Sequence, residues 1–316
     1  MKQDLLTFKH FSNEDMQNLL ELALDVKNAP EKYRHALSGR SVVALFEKPS
    51  SRTRVSFDIG INKLGGHLVY LDSQAGKLAG REDAKDMGAN LACWADAIVA
   101  RVFDHQTLEQ MAQASKVPVI NALCDMYHPC QALADFLTLK ERFGQLKGLT
   151  LAYIGDGNNV THSLMLVAAI LGVNMIVITP QGYEPDAEIV EQAKARATEN
   201  GVSLTVSHDL QHAEGADALY TDTWISMGNE TPVELIKHTF APYQLNQALM
   251  QKTGAKYVMH CQPAHRDLEI TSELVDGNQS LLMQQAENRM HGQNAILISL
   301  LGPQSGNTLI SGANHV

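Results

Sequence analysis

The chain has 316 residues, 45% of them apolar, which exceeds one typical domain of roughly 100 to 200 residues and predicts about two. Its 25 Lys and Arg stand against 35 Asp and Glu, a formal net charge of -10, so nucleic acid or an anionic membrane surface is disfavoured as a general partner and any ligand-binding cations must act locally. No apolar stretch approaches the roughly 20 residues of a bilayer span, and the start MKQDLLTFKHF lacks the apolar core and cleavage site of a signal peptide, so a cytoplasmic protein is expected.

Short apolar strands alternate with helical patterns along nearly the whole chain, the pattern of an α/β protein with parallel sheets. In the first half, strands are predicted near 42–46, 68–72, 97–102 and 117–121. The first runs into Pro49-Ser50-Ser51-Arg52-Thr53-Arg54, which reads as a helix start. Free backbone N–H groups and the positive end of the helix dipole favour an anion there. Ser50, Ser51 and Thr53 add hydroxyl donors, and Arg52 and Arg54 add guanidinium forks matched to phosphate oxygens. Local logic alone does not separate this from a solvated helix start. Arg101 closes the run Ala97-Ile98-Val99-Ala100 and so emerges at a strand tip, facing either a ligand or a neighbour such as Asp104. His128 and Gln131 stand at the start of a linking helix predicted from Gln131 to Phe143 and stopped by Gly144; the imidazole could donate to a carbonyl oxygen and the carboxamide could read an amide. The chain is expected to divide at this helix.

In the second half, strands are predicted near 149–155, 174–179, 203–207, 217–221 and 256–260. Gly155-Asp156-Gly157-Asn158-Asn159 matches part of a dinucleotide fingerprint, but the third glycine is missing and no acidic residue closes the strand at 176–179. Two adjacent carboxamides suit a zwitterion better, since an amino acid offers both a carboxylate and an ammonium. Asp222 could hold an amine or cap a turn. Cys261 follows a strand and precedes a turn fixed by Pro263, yet no base is evident beside it, and a small buried residue remains its plainer reading. The four cysteines, Cys93, Cys124, Cys130 and Cys261, lack the paired spacing of a disulfide framework or a zinc site, so no metal is expected. The candidates all lie at or just past strand ends, where doubly wound sheets bind ligands. The fold expected is α/β, two doubly wound parallel-sheet domains joined by interdomain helices.

Taken together, FEKPSSRTR at 46–54, HPCQ at 128–131, GDGNN at 155–159, DTWISMG at 222–228, HCQPAHR at 260–266 and QAENRMHGQNA at 285–295 resemble the ornithine carbamoyltransferases, in order, from about residue 4 to residue 301. The resemblance implies transfer of the carbamoyl group of carbamoyl phosphate to the δ-amine of L-ornithine, giving L-citrulline and phosphate in arginine metabolism. No cofactor is implied, and the expected assembly is a homotrimer with shared active sites. It also implies a carbamoyl-phosphate-binding domain over 1–133, completed by a returning helix at about 284–301, and an L-ornithine-binding domain over 134–283 that includes the linking helix; the polar, glycine-containing composition of the end of the chain predicts a flexible tail over 302–316.

Carried over position by position, the resemblance assigns Ser50, Ser51, Arg52, Thr53, Arg101, His128, Gln131 and Arg289 to carbamoyl phosphate, with the Cys261-Gln262 turn closing over the carbamoyl group. Asn159, Asp222, Ser226 and Met227 fall to ornithine, and Arg52, Arg101, His128, Asp222 and Cys261 are the expected catalytic group. Closure of the two domains and of the 226–231 loop is expected to exclude water. Two positions depart from the family's habit. Lys77 stands in the loop from which a glutamine commonly reaches a neighbouring subunit's phosphate site, and Gln262 replaces a common leucine whose backbone carbonyl alone need face the substrate. The rival readings are a sister carbamoyltransferase acting on aspartate, putrescine or an N-acylated ornithine, a nucleotide-binding oxidoreductase resting on GDGNN, and a non-catalytic sensor.

Overall fold

The structure, a computed structural model, describes residues 3–71, 82–224 and 232–302. Lys77, Ser226 and Met227, together with the 226–231 loop and the stretch after residue 302, lie outside the described residues. The chain groups into two compact units, one comprising Met1–Leu137 with Asn288–Val316, the other Thr138–Glu287.

The first unit opens with helix α1 (Asn13–Asn28), whose cap Ser12 accepts from the Asp15 N–H while Asp15 answers the Ser12 N–H, a reciprocal capping box. Strand β1 (Ser41–Phe46), helix α2 (Ser51–Lys63), strand β2 (His67–Leu71), helix α3 (Ala84–Leu91), strand β3 (Ala97–Arg101), helix α4 (His105–Ala114) and strand β4 (Val119–Leu123) follow. The strands form one parallel sheet in the order β2-β1-β3-β4. β1 and β3 are continuous apolar runs because both faces of a parallel sheet are covered by helices; Val42 to Phe46 and Ala97 to Arg101 are all buried. The chain leaves β1 toward β2 on one side and reaches β3 and β4 on the other. Strand order therefore reverses between β1 and β3, where Phe46 is in register with Arg101.

β4 lies two residues later than the sequence pattern placed it. Ser115 Oγ accepts from the Val117 N–H and donates to the Val117 carbonyl, which ties that residue into a turn. Pro118 has no N–H to give a ladder, so pairing begins at Val119.

The second unit contains strand β5 (Thr150–Ile154), helix α6 (Asn159–Leu171), strand β6 (Asn174–Ile178), helix α7 (Ala187–Glu199), strand β7 (Leu204–Ser207), strand β8 (Ala218–Thr221), helices α8 (Val233–Phe240) and α9 (Gln247–Thr253), strand β9 (Tyr257–His260) and helix α10 (Ser272–Asp276). Its parallel sheet has the order β7-β6-β5-β8-β9, reversing between β5 and β8 where Tyr153 pairs with Tyr220. α6 is buried from Val160 to Leu171, as its nearly unbroken apolar sequence requires, and Gly172 closes it in the left-handed conformation at φ 71°. Ile154, Ile178, Leu219, Val258 and Ile270 belong to one apolar cluster, and Trp224, Ile236 and Phe240 form another.

Two helices cross the boundary between the units. α5 (Pro129–Phe143) begins two residues earlier than the predicted linking helix, because Pro129 suits a first helical position where no N–H is needed. α11 (Leu282–Leu301) carries the chain back. Among the described residues no helix is long and apolar enough to cross a membrane.

The glycines after β5 have a structural reason independent of nucleotides. A Cβ on Gly157 would stand 2.2 Å from Pro185 N and 2.5 Å from Glu184 C, so the turn leading into α6 lies directly against the 184–185 backbone. Neither backbone can swing aside as a side-chain tip would. Gly157→Ala is expected to destabilise the protein by roughly 1–3 kcal/mol, read as a lowered melting temperature in calorimetry; a melting temperature equal to that of the parent would contradict this packing.

Candidate active site

In the first unit, α2 starts with Ser50 as its cap, the side-chain oxygen accepting from the Thr53 N–H at 3.3 Å. Its first turn carries no acidic residue, which leaves the dipole end uncompensated by the chain. Ser51 and Arg52 are exposed on that turn and Thr53 is buried. Arg101, the last residue of β3, is 8% exposed, and its Nε donates to the Lys48 carbonyl at 3.1 Å. Asp104, the alternative partner for this arginine, instead caps α4 by accepting from the Gln106 N–H at 2.8 Å.

Arg289, on α11, reaches the same place. Its Nη1 donates to Gln131 Oε1 at 2.5 Å and its Nη2 to Thr53 Oγ1 at 3.1 Å, while Gln131 Nε2 donates to Asp135 Oδ1 at 2.8 Å. Burial first, then the charges of Arg289 and Arg52, pull the Arg101 pKa down to about 10. The guanidinium is still charged at neutral pH, but it sits among like charges that an anion would relieve. His128, also buried, is held well below the ordinary histidine range by burial and then by Arg289 and Arg101, and so stands as a neutral imidazole among cations. Ser50, Arg52, Thr53, Arg101, His128, Gln131 and Arg289 are thus one linked group, with Ser51 beside them on the helix start.

In the second unit, Asp222 follows β8 and is buried. Its Oδ2 accepts from Asn158 Nδ2 at 2.8 Å, and its Oδ1 accepts from Cys261 Sγ at 2.8 Å and from the Thr223 N–H at 2.7 Å. The sequence offered no base beside Cys261, whereas the fold supplies a carboxylate. Asn158 caps α6, its Oδ1 accepting from the Val160 and Thr161 N–H groups, which turns its amide nitrogen toward Asp222. Asn159 is the first residue of α6 and partly exposed. Asp156 is raised to about 6 by burial and then by the negative charge of Asp222. This unit therefore concentrates negative charge where the first concentrates positive.

The turn that carries Cys261 and Gln262 hangs on a fully buried carboxylate, Glu269. Its Oε1 accepts from His260 Nε2 at 3.1 Å and from the His265 N–H at 2.5 Å, and the Gln262 N–H donates to His260 Nδ1 at 2.8 Å. Gln262 adopts φ 60°, a left-handed conformation uncommon outside glycine and asparagine, which these bonds hold in place. Potential ligand atoms of Asp222, His260 and Cys261 lie within 4.8 Å of one another. Both ring nitrogens of His260 are engaged by Glu269 and Gln262, however, so the trio is organised by hydrogen bonds rather than arranged around an open coordination position.

Asn158, Glu269 and Asp135 escaped the sequence reading. The sequence marks the carboxamide pair without showing that Asn158 is the one bonded to Asp222. Glu269 and Asp135 carry no local mark of burial.

Two doubly wound units, one presenting arginines and a helix start to an anion and the other a carboxylate, carboxamides and a thiol to an amine, fit an enzyme that moves a group from a phosphorylated donor to an amino acid. The comparisons with known proteins agree. The model of the carbamoyl-P binding domain of the aspartate/ornithine carbamoyltransferases matches residues 3–141, and that of their Asp/Orn binding domain matches residues 147–300. An ornithine carbamoyltransferase of Shewanella oneidensis is 57% identical over 295 residues, 93% of this chain and 98% of its own length. One of Moritella abyssi is 54% identical over 299 residues, 95% of this chain and 99% of its own. The solved ornithine carbamoyltransferase of Pyrococcus furiosus superposes with a TM-score of 0.91 at 42% identity, covering 96% of this chain and 97% of that one. The chain belongs to the aspartate/ornithine carbamoyltransferase family.

The neutral His128 has a consequence for acid stability. An unfolded chain takes up a proton at this residue near its ordinary pKa of 6.5, whereas the folded imidazole stays neutral to well below that value. The stability it contributes is complete above 6.5 and is lost as the pH falls from there toward the folded value. His128→Asn is expected to flatten the decline in melting temperature between about pH 7 and about pH 5; a decline as steep as in the parent would argue against a buried neutral imidazole.

Proposed function

We propose that the chain transfers the carbamoyl group of carbamoyl phosphate to the δ-amine of L-ornithine, giving L-citrulline and phosphate in arginine metabolism. The observation that carries this reading is that the first unit holds the linked group of Arg52, Arg101 and Arg289, and the second unit holds the Asp222, Asn158 and Cys261 group. Family membership and the names of the relatives support it.

The first unit is the carbamoyl-phosphate unit. The helix start with Ser50, Ser51 and Thr53, together with Arg52 and Arg101, holds the phosphate and lowers the cost of the charge it carries away as leaving group. Arg101, Thr53 and His128 donate to the carbonyl oxygen as attack turns it into an oxyanion. Gln131 reads the carbamoyl NH2, and Arg289 completes the cation set. Positioning and electrostatics supply the catalysis, since no covalent intermediate is required.

The second unit holds the amino acid. Asp222 and Cys261 orient the δ-amine, which must attack in its uncharged form, while Asn159, Ser226 and Met227 bind the α-amino acid end. Asp156 and Asp222 make this unit unfavourable to an acceptor with a second carboxylate, which speaks against aspartate. Putrescine lacks the carboxylate that the carboxamides suit, and an N-acylated ornithine lacks the α-ammonium.

A homotrimer in the cytoplasm completes the proposal. Val55 and Ile59, one turn apart on α2, and Val69 on the edge strand β2 are exposed apolar side chains, on elements that also bear the phosphate site. They support a subunit contact next to that site, where Lys77 would complete the neighbour's phosphate contacts as a point charge.

With saturating carbamoyl phosphate and each acceptor in turn, kcat/KM for ornithine is expected to exceed that for aspartate, putrescine and N-acetylornithine by at least about a hundredfold. Equal turnover of any of these would move the acceptor assignment. Arg52→Ala and Arg101→Ala are each expected to cut citrulline formation by about 10²–10³-fold with unchanged circular dichroism, whereas Asp222→Ala mainly raises the KM for ornithine. Normal turnover by Arg52→Ala would sink the phosphate site.

A further inference from the structure

We infer that Asp135 is a positioning residue for carbamoyl phosphate, acting through Gln131, Arg289 and Thr53 without touching the substrate, an inference that rests on the proposed reaction. Asp135 lies one turn beyond Gln131 on α5 and is fully buried. Gln131 is equally buried and has two chemically different partners, a carboxylate at one end of its amide and a guanidinium at the other.

Those partners leave the amide one orientation. A carboxylate oxygen accepts, so it takes the Nε2 side of Gln131 at 2.8 Å. A guanidinium only donates, so Arg289 Nη1 must find the Oε1 side, at 2.5 Å. With Nη1 committed, the planar fork of Arg289 directs Nη2 to Thr53 Oγ1 at 3.1 Å. Thr53 Oγ1 also accepts from Ser50 Oγ at 3.1 Å. With two donors on its oxygen, the Thr53 hydroxyl has its own proton left to give. That proton is the one a carbamoyl or phosphate oxygen at the start of α2 would accept.

The direction of every bond in this chain is therefore set from Asp135. Without a strong acceptor there, the Gln131 amide can rotate half a turn and present its NH2 to Arg289, donor against donor. Arg289 then loses its anchor and Thr53 the donor that turns its hydroxyl outward. Such a fault weakens the hold on carbamoyl phosphate while leaving the ornithine unit as it was.

The test is a double-mutant cycle on the full-length enzyme with Asp135→Asn, which keeps the size of the side chain, and Gln131→Leu, which removes the link. In the parent, citrulline formation must be present; its absence would overturn the proposed reaction rather than this inference. Given that activity, Asp135→Asn is expected to raise the KM for carbamoyl phosphate about tenfold or more and to change the KM for ornithine less than about twofold. In the Gln131→Leu background, Asp135→Asn should add less than about twofold, because the path it acts through is already cut. An unchanged carbamoyl phosphate KM in Asp135→Asn, or effects that multiply in the double variant, would overturn the inference. Should Asp135→Asn fail to fold, Asp135→Glu serves in its place. It retains the charge but moves the acceptor, and the same KM split and the same non-additivity are required of it.

Discussion

The constraint on which the first unit turns is the crowding of cations at the carboxyl ends of β1 and β3. Arg101 is buried where its strand ends, with Arg289 and Arg52 close enough to depress its pKa. Such an arrangement is costly in the unliganded protein, because burial strips solvation and like charges repel. Several otherwise separate facts follow from it. The first turn of α2 has no acidic residue, His128 is kept neutral, and Arg289 is braced by donating to two polar side chains, Gln131 and Thr53. Gln131 bridges this arginine to Asp135, its amide nitrogen donating to the carboxylate while its oxygen accepts from the guanidinium.

The second unit inverts the sign. Asp222 takes hydrogen bonds from a carboxamide, a thiol and a backbone N–H, all neutral donors, so its charge is solvated by the protein but not cancelled. Burial first, and then that charge, raises Asp156 to about 6. Each unit thus holds a partly unbalanced local charge, positive in the first and negative in the second. Glu269 follows the same economy of parts, fixing two histidines and through them the turn that presents Cys261. The chain's net charge of -10 hides both sites, since each is decided over a few residues.

The sheet strands were legible because strands covered on both faces are written as apolar runs, and helix starts were legible where Ser, Asn or Pro preceded them. β4 slipped by two residues because Val117 belongs to the apolar run by composition but to a turn by hydrogen bonding. Arg101 could be noticed as a charge closing an apolar run. Arg289 could not be found by local reasoning, for on a helix of mixed polarity it looks like any solvated arginine; only the family resemblance marked it. Asp135 and Glu269 had no such mark, since whether a carboxylate is buried depends on partners supplied by the folded chain. Asn158 shows a different limit. Two adjacent asparagines look alike in sequence, and only the helix start decides which of them caps α6 and turns to Asp222.

The passage of α11 back into the first unit bears on how the protein is made. The bond between Arg289 and Thr53 spans 236 residues, and the one between Arg289 and Gln131 spans 158. During synthesis the sheet of the first unit can form early, since its strands are close in sequence, but the anion site stays one cation short until almost the entire chain has left the ribosome. A chain that stops before α11 would lack both the arginine that bonds Thr53 and the fully buried Ala295, Ile296 and Leu297 that the helix adds to the first unit. Completion of the hydrogen-bonded group around Thr53 therefore comes late in translation.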